Sequence, residues 1–445
     1  MAGRERRPNT ALAALIAEAR WGNGEFARAV NRAGTEAGHR FTYDQSSVSH
    51  WLGGTRPVTK ALPVVLETIT RRLGRPVSAY EAGLADAPDL SDQPAGTVAG
   101  LIDLGSTDMD PSRRGVLGVS LYSVALTIPG WPDVVGRFEM LRTNPHLRIG
   151  MQEVSAVASM TEQISSLDDQ FGGRMARPMA AAFLVNTIVP YLEAEAPEDV
   201  RRAMLSAAAD HLYLTGYMAM DERADHLAQL YYAKALELAG LAGDHLMYCT
   251  TLRGMSVQAV DLGHGQTAVR YAASASAAAP QAGPRMLAFL AGQQAHAAAR
   301  TGDRTGALAH LAVAERAMEK AESKAKAHGS YDPSSLAYHV ARVRFELGDK
   351  AGAIDSMDLS DRLRQEVYRR GRVRHLGMTA EWKLEVGRLE EACRDWHRAL
   401  DDYPQVQSGR ADDRIRAMMA ALRPHRNNRL ARELYERARP MAPAA

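Results

Sequence analysis

The feature that most limits how this 445-residue chain can fold is a recurrence in its second half. A small residue is followed twelve positions later by an alanine, with apolar or small residues four and seven positions beyond it. Gly216 precedes Ala228, Tyr232 and Ala235; Ser256 precedes Ala268, Ala272 and Ala275; Ala295 precedes Ala307, Leu311 and Ala314. The series continues with Ala341 before Ala353, Met357 and Ser360, Ala380 before Ala392, Trp396 and Ala399, and Met419 before Ala431, Tyr435 and Ala438. The four-and-seven spacing is a helical stripe, and the small residue twelve positions earlier belongs to a preceding helix. Two helices that meet at small residues can approach closely, and units that bury their apolar faces only against neighbours form an array.

The pattern resembles tetratricopeptide repeats, stretched to anchor spacings of 39 to 46 residues where the family uses about 34. Pro404 and Pro443 stand at the ends of their repeats, and ARTGDRTGALAHLAVAERA and VGRLEEACRDWHRALDDYP read as helix-turn-helix joints. The resemblance implies a right-handed α-solenoid over 206–445, within an all-α chain. Composition agrees, since alanine is abundant and aromatics are only 6%, which favours close-packed helices over aromatic-rich sheets. In such a solenoid the first helices of the repeats line a concave groove, and the register puts Tyr213, Tyr217, Arg253, His296, Tyr338 and Arg342 near it. Tyrosine and arginine suit a peptide, an aromatic small molecule or a protein effector. Each of these residues also fits packing between helices.

Ahead of the repeats, the apolar spacing predicts a small helical domain over residues 1–85. NTALAALIAEA sets Leu12, Leu15, Ile16 and Ala19 on one face behind an Asn9 cap; a second helix from Asn23 buries Phe26, Ala27 and Val30 and ends at Gly34. A third helix covers 45–52, and ALPVVLETITRRLG forms a fourth with Leu62, Val65, Leu66 and Ile69 inward; YEAGL is read as a short fifth. Residues 86–112, rich in Pro, Gly, Asp and Ser, read as a linker whose patch TVAGLIDL can dock on a neighbour, and 113–205 as a helical connecting region. The formal net charge is +2, but through residue 75 there are 12 Lys/Arg against 6 Asp/Glu. The basic excess is therefore confined to the small domain, as in a nucleic-acid module on a neutral or acidic body.

The third helix, in YDQSSVSHWLGGTRP, has two unlike faces. With Thr42 or Asp44 as cap, Val48, Trp51 and Leu52 point to the core and Gln45, Ser46, Ser49 and His50 point away. Taken alone, this also fits an ordinary capped helix beside a turn. SSVSHWLGGTRP resembles the recognition helix and following turn of the Xre/Cro/phage-repressor family of helix-turn-helix proteins. The resemblance implies base contacts by Gln45, Ser46 and His50. It implies DNA-backbone contacts by Asn23, Ser47, Ser49, Thr55, Arg56 and Lys60, and by an N-terminal arm of Arg4, Arg6 and Arg7. The joint before this helix, TEAGHRFTYD, is about ten residues long where the family has a turn of three or four. Together with GEFARAVN, DMDPSRRGVLG and SLYSVALTIPG, the chain resembles actinobacterial regulators of this type that carry tetratricopeptide-like repeats C-terminal to the helix-turn-helix. That resemblance implies a double-stranded DNA operator, a homodimer and an effector in the groove.

Chemistry finds no foothold in the sequence. The fourteen histidines show no HExxH or paired ligand spacing, Cys249 and Cys393 stand far apart, and there is no phosphate loop or nucleophile elbow. Asp210-His211, Asp225-His226 and Asp244-His245 are adjacent pairs that point about 100° apart on a helix and cannot orient one another. No catalytic residue, cofactor or metal is expected. No apolar run reaches the roughly 18–20 residues of a membrane span, and MAGRERRPN leads into an amphipathic stretch, so a cytoplasmic location is expected. The sequence thus points to a DNA-binding transcriptional regulator with an effector-sensing, dimerising array. Its rival is a scaffold or adaptor whose helix-turn-helix domain contacts protein.

Overall fold

Turns fix the spacing of the helices in this protein. Gly302 and Gly348 lie in the left-handed region (φ +82° and +88°), which a side chain would strain, and each is followed by an aspartate that caps the next helix. Asp303 accepts from the Gly306 amide and Asp349 from the Gly352 amide, both at 2.9 Å. The computed structural model describes residues 8–36, 39–73, 77, 79, 81–84, 97–109, 122–124, 144–278, 282–321 and 331–443. Among these the fold is all-α, apart from a parallel pairing of Asn144–Arg148 with Ala194–Glu195.

Between 198 and 438 the helices form successive hairpins: Glu198–Asp221 with Asp225–Ala242, His245–Asp261 with Gly265–Ala277, Pro284–Arg300 with Arg304–Glu319, Pro333–Glu346 with Lys350–Leu363, Arg369–Glu385 with Leu389–Asp402, and Gly409–Leu422 with Arg429–Ala438. All six anchor alanines are fully buried, as are Ala295, Ala341, Ala380 and Ser256 of the preceding helices. The reason is contact at the crossing: the Ser256 hydroxyl donates to the Ala268 carbonyl at 2.8 Å, and a Cβ on Gly216 would lie 2.8 Å from the Tyr232 ring. The last pair departs from the pattern, since Met418 rather than Met419 is the fully buried side chain.

The first hairpin begins earlier than residue 206. Glu198–Asp221 is one helix of 24 residues that runs through the expected boundary, and Met151–Phe171 and Gly173–Phe183 pack against it. Inside the stretch read as linker, Thr97–Met109 is a helix. Its docking has a polar anchor: Asp108, 1% exposed, pairs with the buried Arg177 and accepts from the Tyr231 hydroxyl at 2.7 Å. Arg177 also pairs with Glu222 at 2.8 Å.

The N-terminal domain has its own core, from Leu12 to Leu84. It is built by α1 (Thr10–Glu18), α2 (Asn23–Glu36), α3 (Gln45–Leu52) and α4 (Leu62–Leu73). Helix α2 continues past Gly34, because that position is where Phe41 packs: a Cβ there would sit 2.5 Å from the ring. Residues 81–84 form turns rather than the expected fifth helix, with Ala82 and Leu84 buried and the Asn9 amide donating to the Ala82 and Gly83 carbonyls.

Candidate functional site

Helix α3 presents the two faces its sequence implied. Val48 and Trp51 are buried, Trp51 lying edge-on to Phe26 and Tyr43, while Gln45, Ser46, Ser49 and His50 are exposed. Asp44 is the cap. Its carboxylate accepts from the Ser47 amide and hydroxyl, both at 2.8 Å, and those bonds hold the Asp44 carboxyl below its usual range. Ser47, expected to meet a phosphate, therefore has its hydroxyl in the cap. Ser49 donates to the Gln45 carbonyl at 2.9 Å and accepts from Asn23 at 3.4 Å, so these two expected backbone contacts touch each other across α2 and α3. Gly54 is left-handed (φ +95°), and the turn carries Thr55, half-buried, and Arg56, exposed; Lys60 is exposed on the following turn. The arm residues Arg4, Arg6 and Arg7 lie outside the described residues.

The long joint before α3 is tied to α2 by Asn31, by the packing of Phe41 on Gly34 and by the His39 amide, which donates to the Gly34 carbonyl at 2.8 Å. Asn31 accepts from the Tyr43 amide at 2.9 Å and donates to the Tyr43 carbonyl at 2.7 Å. His39, Phe41, Tyr43 and Trp51 pack ring against ring in succession, the first two pairs tilted and the last edge-on, at centroid distances of 5.1, 5.2 and 4.9 Å. Together these contacts set the angle between α2 and α3 that a short turn would otherwise set.

Inside the hairpin array the expected groove residues occupy a polar interior. Tyr213 is buried 6.0 Å from Tyr232, and Arg253 lies 3.8 Å over Phe289. Tyr217 sits beneath Arg370 at 5.2 Å, Tyr338 stacks on His375 at 4.5 Å, and Arg342 donates to His296 at 3.2 Å. Burial would raise the Tyr217 phenol, but Arg370, Arg410, Arg374 and Arg253 outweigh it and hold it below its ordinary value. Burial, and then neighbouring guanidiniums, push His296 and His375 far below the usual imidazole range, so both are neutral. The guanidiniums of Arg370, Arg374 and Arg410 converge on this chamber.

Sequence reasoning missed the arginines that dominate it. Arg370 pairs with Asp168, Asp169 and Asp221 at 2.9, 3.0 and 3.4 Å, and Arg374 and Arg410 both pair with Asp261. Burial opposes ionisation of Asp261, but Arg410 and Arg374 hold its carboxyl well below the usual range. The one available signal was the spacing of Arg370 and Arg374, four apart in RRGRVRH, which puts both on one helical face. A cavity of about 290 Å³ opens beside them, lined among others by Asp261, Arg342, Arg374, Trp382, Arg410 and Arg414.

Between the two regions runs a strap that includes residues 122–124. Gln229 donates to the Ser123 carbonyl at 2.7 Å and accepts from its amide at 2.8 Å, and Tyr122 stacks on His264 at 5.1 Å. On the other side the Val124 amide donates to Glu67 at 2.9 Å and Arg71 donates to the Tyr122 carbonyl at 3.2 Å, which ties α4 to the array.

Among known protein families, the one described as the SP15 N-terminal domain matches residues 12–85. The matched span coincides with the core that runs from Leu12 to Leu84. No curated protein and no solved structure matches the chain. Among the described residues, no helix is long and apolar enough to cross a membrane, and no group of three or more His, Cys, Asp or Glu could hold a metal ion.

Proposed function

We propose that this protein is a cytoplasmic, sequence-specific DNA-binding transcriptional regulator. Its N-terminal domain acts as a variant helix-turn-helix, and its hairpin array acts as a right-handed tetratricopeptide-like solenoid that dimerises and senses an effector. The observation that carries the reading is α3, with one face locked by Trp51 and Val48 and the other offering only hydrogen-bonding side chains, Gln45, Ser46, Ser49 and His50, to solvent. Gln45 at the helix start can address N6 and N7 of an adenine, with His50 on bases farther along the major groove. Arg56, Lys60 and the α2 end at Asn23 supply phosphate contacts that position the helix without reading sequence. One such helix reads few base pairs, so a dimer on two half-sites is required for useful specificity.

Selection of bound sites from random duplexes, followed by titration at several salt concentrations, tests the proposal. Gln45→Ala is expected to relax preference at one position by about 1–3 kcal/mol, whereas Arg56→Ala weakens all sequences alike and lowers the salt slope by roughly 0.9. Sequence preference that survives loss of both Gln45 and His50 overturns the base-contact assignment. Absence of any salt-dependent DNA binding favours the adaptor reading instead.

A further inference from the structure

Two carboxylates in the inner cavity are each shared by two guanidiniums. Asp261 faces Arg374 and Arg410, and Glu346 faces Arg300 at 3.1 Å and Arg342 at 3.4 Å. Among the other charges on the lining, Arg414 pairs with Glu381 at 2.9 Å, Glu385 with Lys350 at 2.9 Å, and Arg223 with Asp413 at 2.6 Å, which Arg416 also meets at 3.0 Å. Four cations against two anions leave a surplus of two positive charges around the space. Arg410, 2% exposed, also has a buried Nη1 with no hydrogen-bond partner. Buried donors in native proteins are nearly always satisfied, and a guanidinium is best satisfied by a carboxylate or phosphate. Beside it, Phe345 and Trp382, stacked on each other at 4.4 Å and 14°, supply the aromatic part of the lining. Arg300, 42% exposed, marks the outer rim and Arg410 the base, so the site runs from solvent to interior.

We propose that this cavity binds a small organic dianion, its carboxylate or phosphate groups held by Arg300, Arg342, Arg374 and Arg410 and its apolar portion meeting Phe345 and Trp382. The volume, about 290 Å³, lies at the lower end for small-molecule sites, which excludes a peptide of several residues from the cavity itself. Its walls come from hairpins distant in sequence: Asp261 is on the second, Arg300 on the third, Arg342 on the fourth, Trp382 on the fifth and Arg410 on the sixth. A dianion that bridges Arg410 to Arg342 therefore draws non-adjacent hairpins together, and favours one curvature of the array in proportion to its preference for that arrangement. The regulatory use of the site rests on the sensor role proposed above; binding itself does not.

Calorimetric titration of the full chain, without DNA, is the test. Phenyl phosphate and phthalate at pH 7.5 are the probes, with benzyl alcohol as the neutral control. One saturable site for a dianion and none for benzyl alcohol is expected, and the tighter of the two dianions identifies the head group. Arg300→Ala, at the exposed rim, is expected to weaken binding about tenfold, and Arg410→Met more. If Arg410→Met does not fold, the rim variant decides. No saturable heat from either dianion, equal binding of benzyl alcohol, or unchanged affinity in Arg300→Ala overturns the site. Dianion binding by a protein that binds no operator leaves the site standing and removes the regulator reading; operator binding without dianion binding does the reverse.

Discussion

The N-terminal domain and the hairpin array keep their polar side chains on opposite sides. In the small domain Gln45, Ser46, Ser49, His50, Arg56 and Lys60 stand at or near the surface around an apolar core. In the array and the helices packed against it, Arg177, Arg370, Lys383 and Arg410 are buried, together with Asp108, Asp168, Asp221 and Asp395. Buried ions lose hydration that only close pairing restores, so such an interior fixes a geometry without adding much stability. An exposed polar face suits a large polymer that comes to the surface, whereas a charged interior suits a ligand small enough to enter.

Paired substitutions in urea denaturation are the strongest way to break this contrast. Trp51→Ala removes the side chain between α3 and the core, and is expected to cost about 3–5 kcal/mol in the N-terminal transition. Arg370→Ala leaves Asp168 and Asp221 buried without their guanidinium and is expected to cost a similar amount, about 3–5 kcal/mol, in the transition of the array. Each should move its own transition far more than the other, since the two sites share no partners. A near-neutral Arg370→Ala would mean that water already reaches that ion cluster, and the contrast between the two interiors would fail.

How much of this was legible follows from what each contact requires in the chain. Five of the six hairpins were readable because two small residues meet at the crossing, as Ser256 and Ala268 do. The split faces of α3 were readable because one short helix holds both Trp51 and Gln45. Longer-range choices left no periodic trace. Asp261 meets Arg374 and Arg410 across 113 and 149 residues, and nothing near Asp261 in sequence distinguishes it from a surface aspartate. Gly34 reads as a helix stop, yet serves as the slot for Phe41. Asp44 three residues before Ser47 spells the cap, and the Ser47 amide and hydroxyl both meet the Asp44 carboxylate.

Acid sharpens the contrast next. His211 is fully buried, its Nε2 donating to the Ala180 carbonyl at 2.9 Å while Nδ1 accepts from Thr161 at 3.0 Å, and burial lowers its pKa from 6.5 to about 4. The unfolded chain takes up a proton as pH falls below 6.5, while the folded chain does not until about pH 4. Stability is therefore lost across that window, by about 3 kcal/mol from this residue alone. His296, His339 and His375, also pushed down by burial, act in the same direction. In the N-terminal domain the described histidines, His39 and His50, are not buried. Urea midpoints measured from pH 7 to 4.5 should fall steeply for the array and little for the small domain. Parallel losses would place the acid-sensitive groups elsewhere.

The smallest expected effect lies in the strap that joins the two regions. Gln229, 1% exposed, closes both hydrogen bonds of the Ser123 peptide from the array side, while Glu67 and Arg71 hold the neighbouring peptides from α4. Gln229→Ala leaves that amide and carbonyl unmatched, at about 1–2 kcal/mol, against the array alone if the strap only fills a surface. If the strap couples the regions, the same substitution separates the two urea transitions further and weakens any effect of a chamber ligand on the DNA binding proposed for α3. The contacts favour coupling, because the strap touches both bodies through buried side chains and Tyr122 carries its ring into the core of the array. A loss of stability without any change in the spacing of the transitions would reduce it to packing.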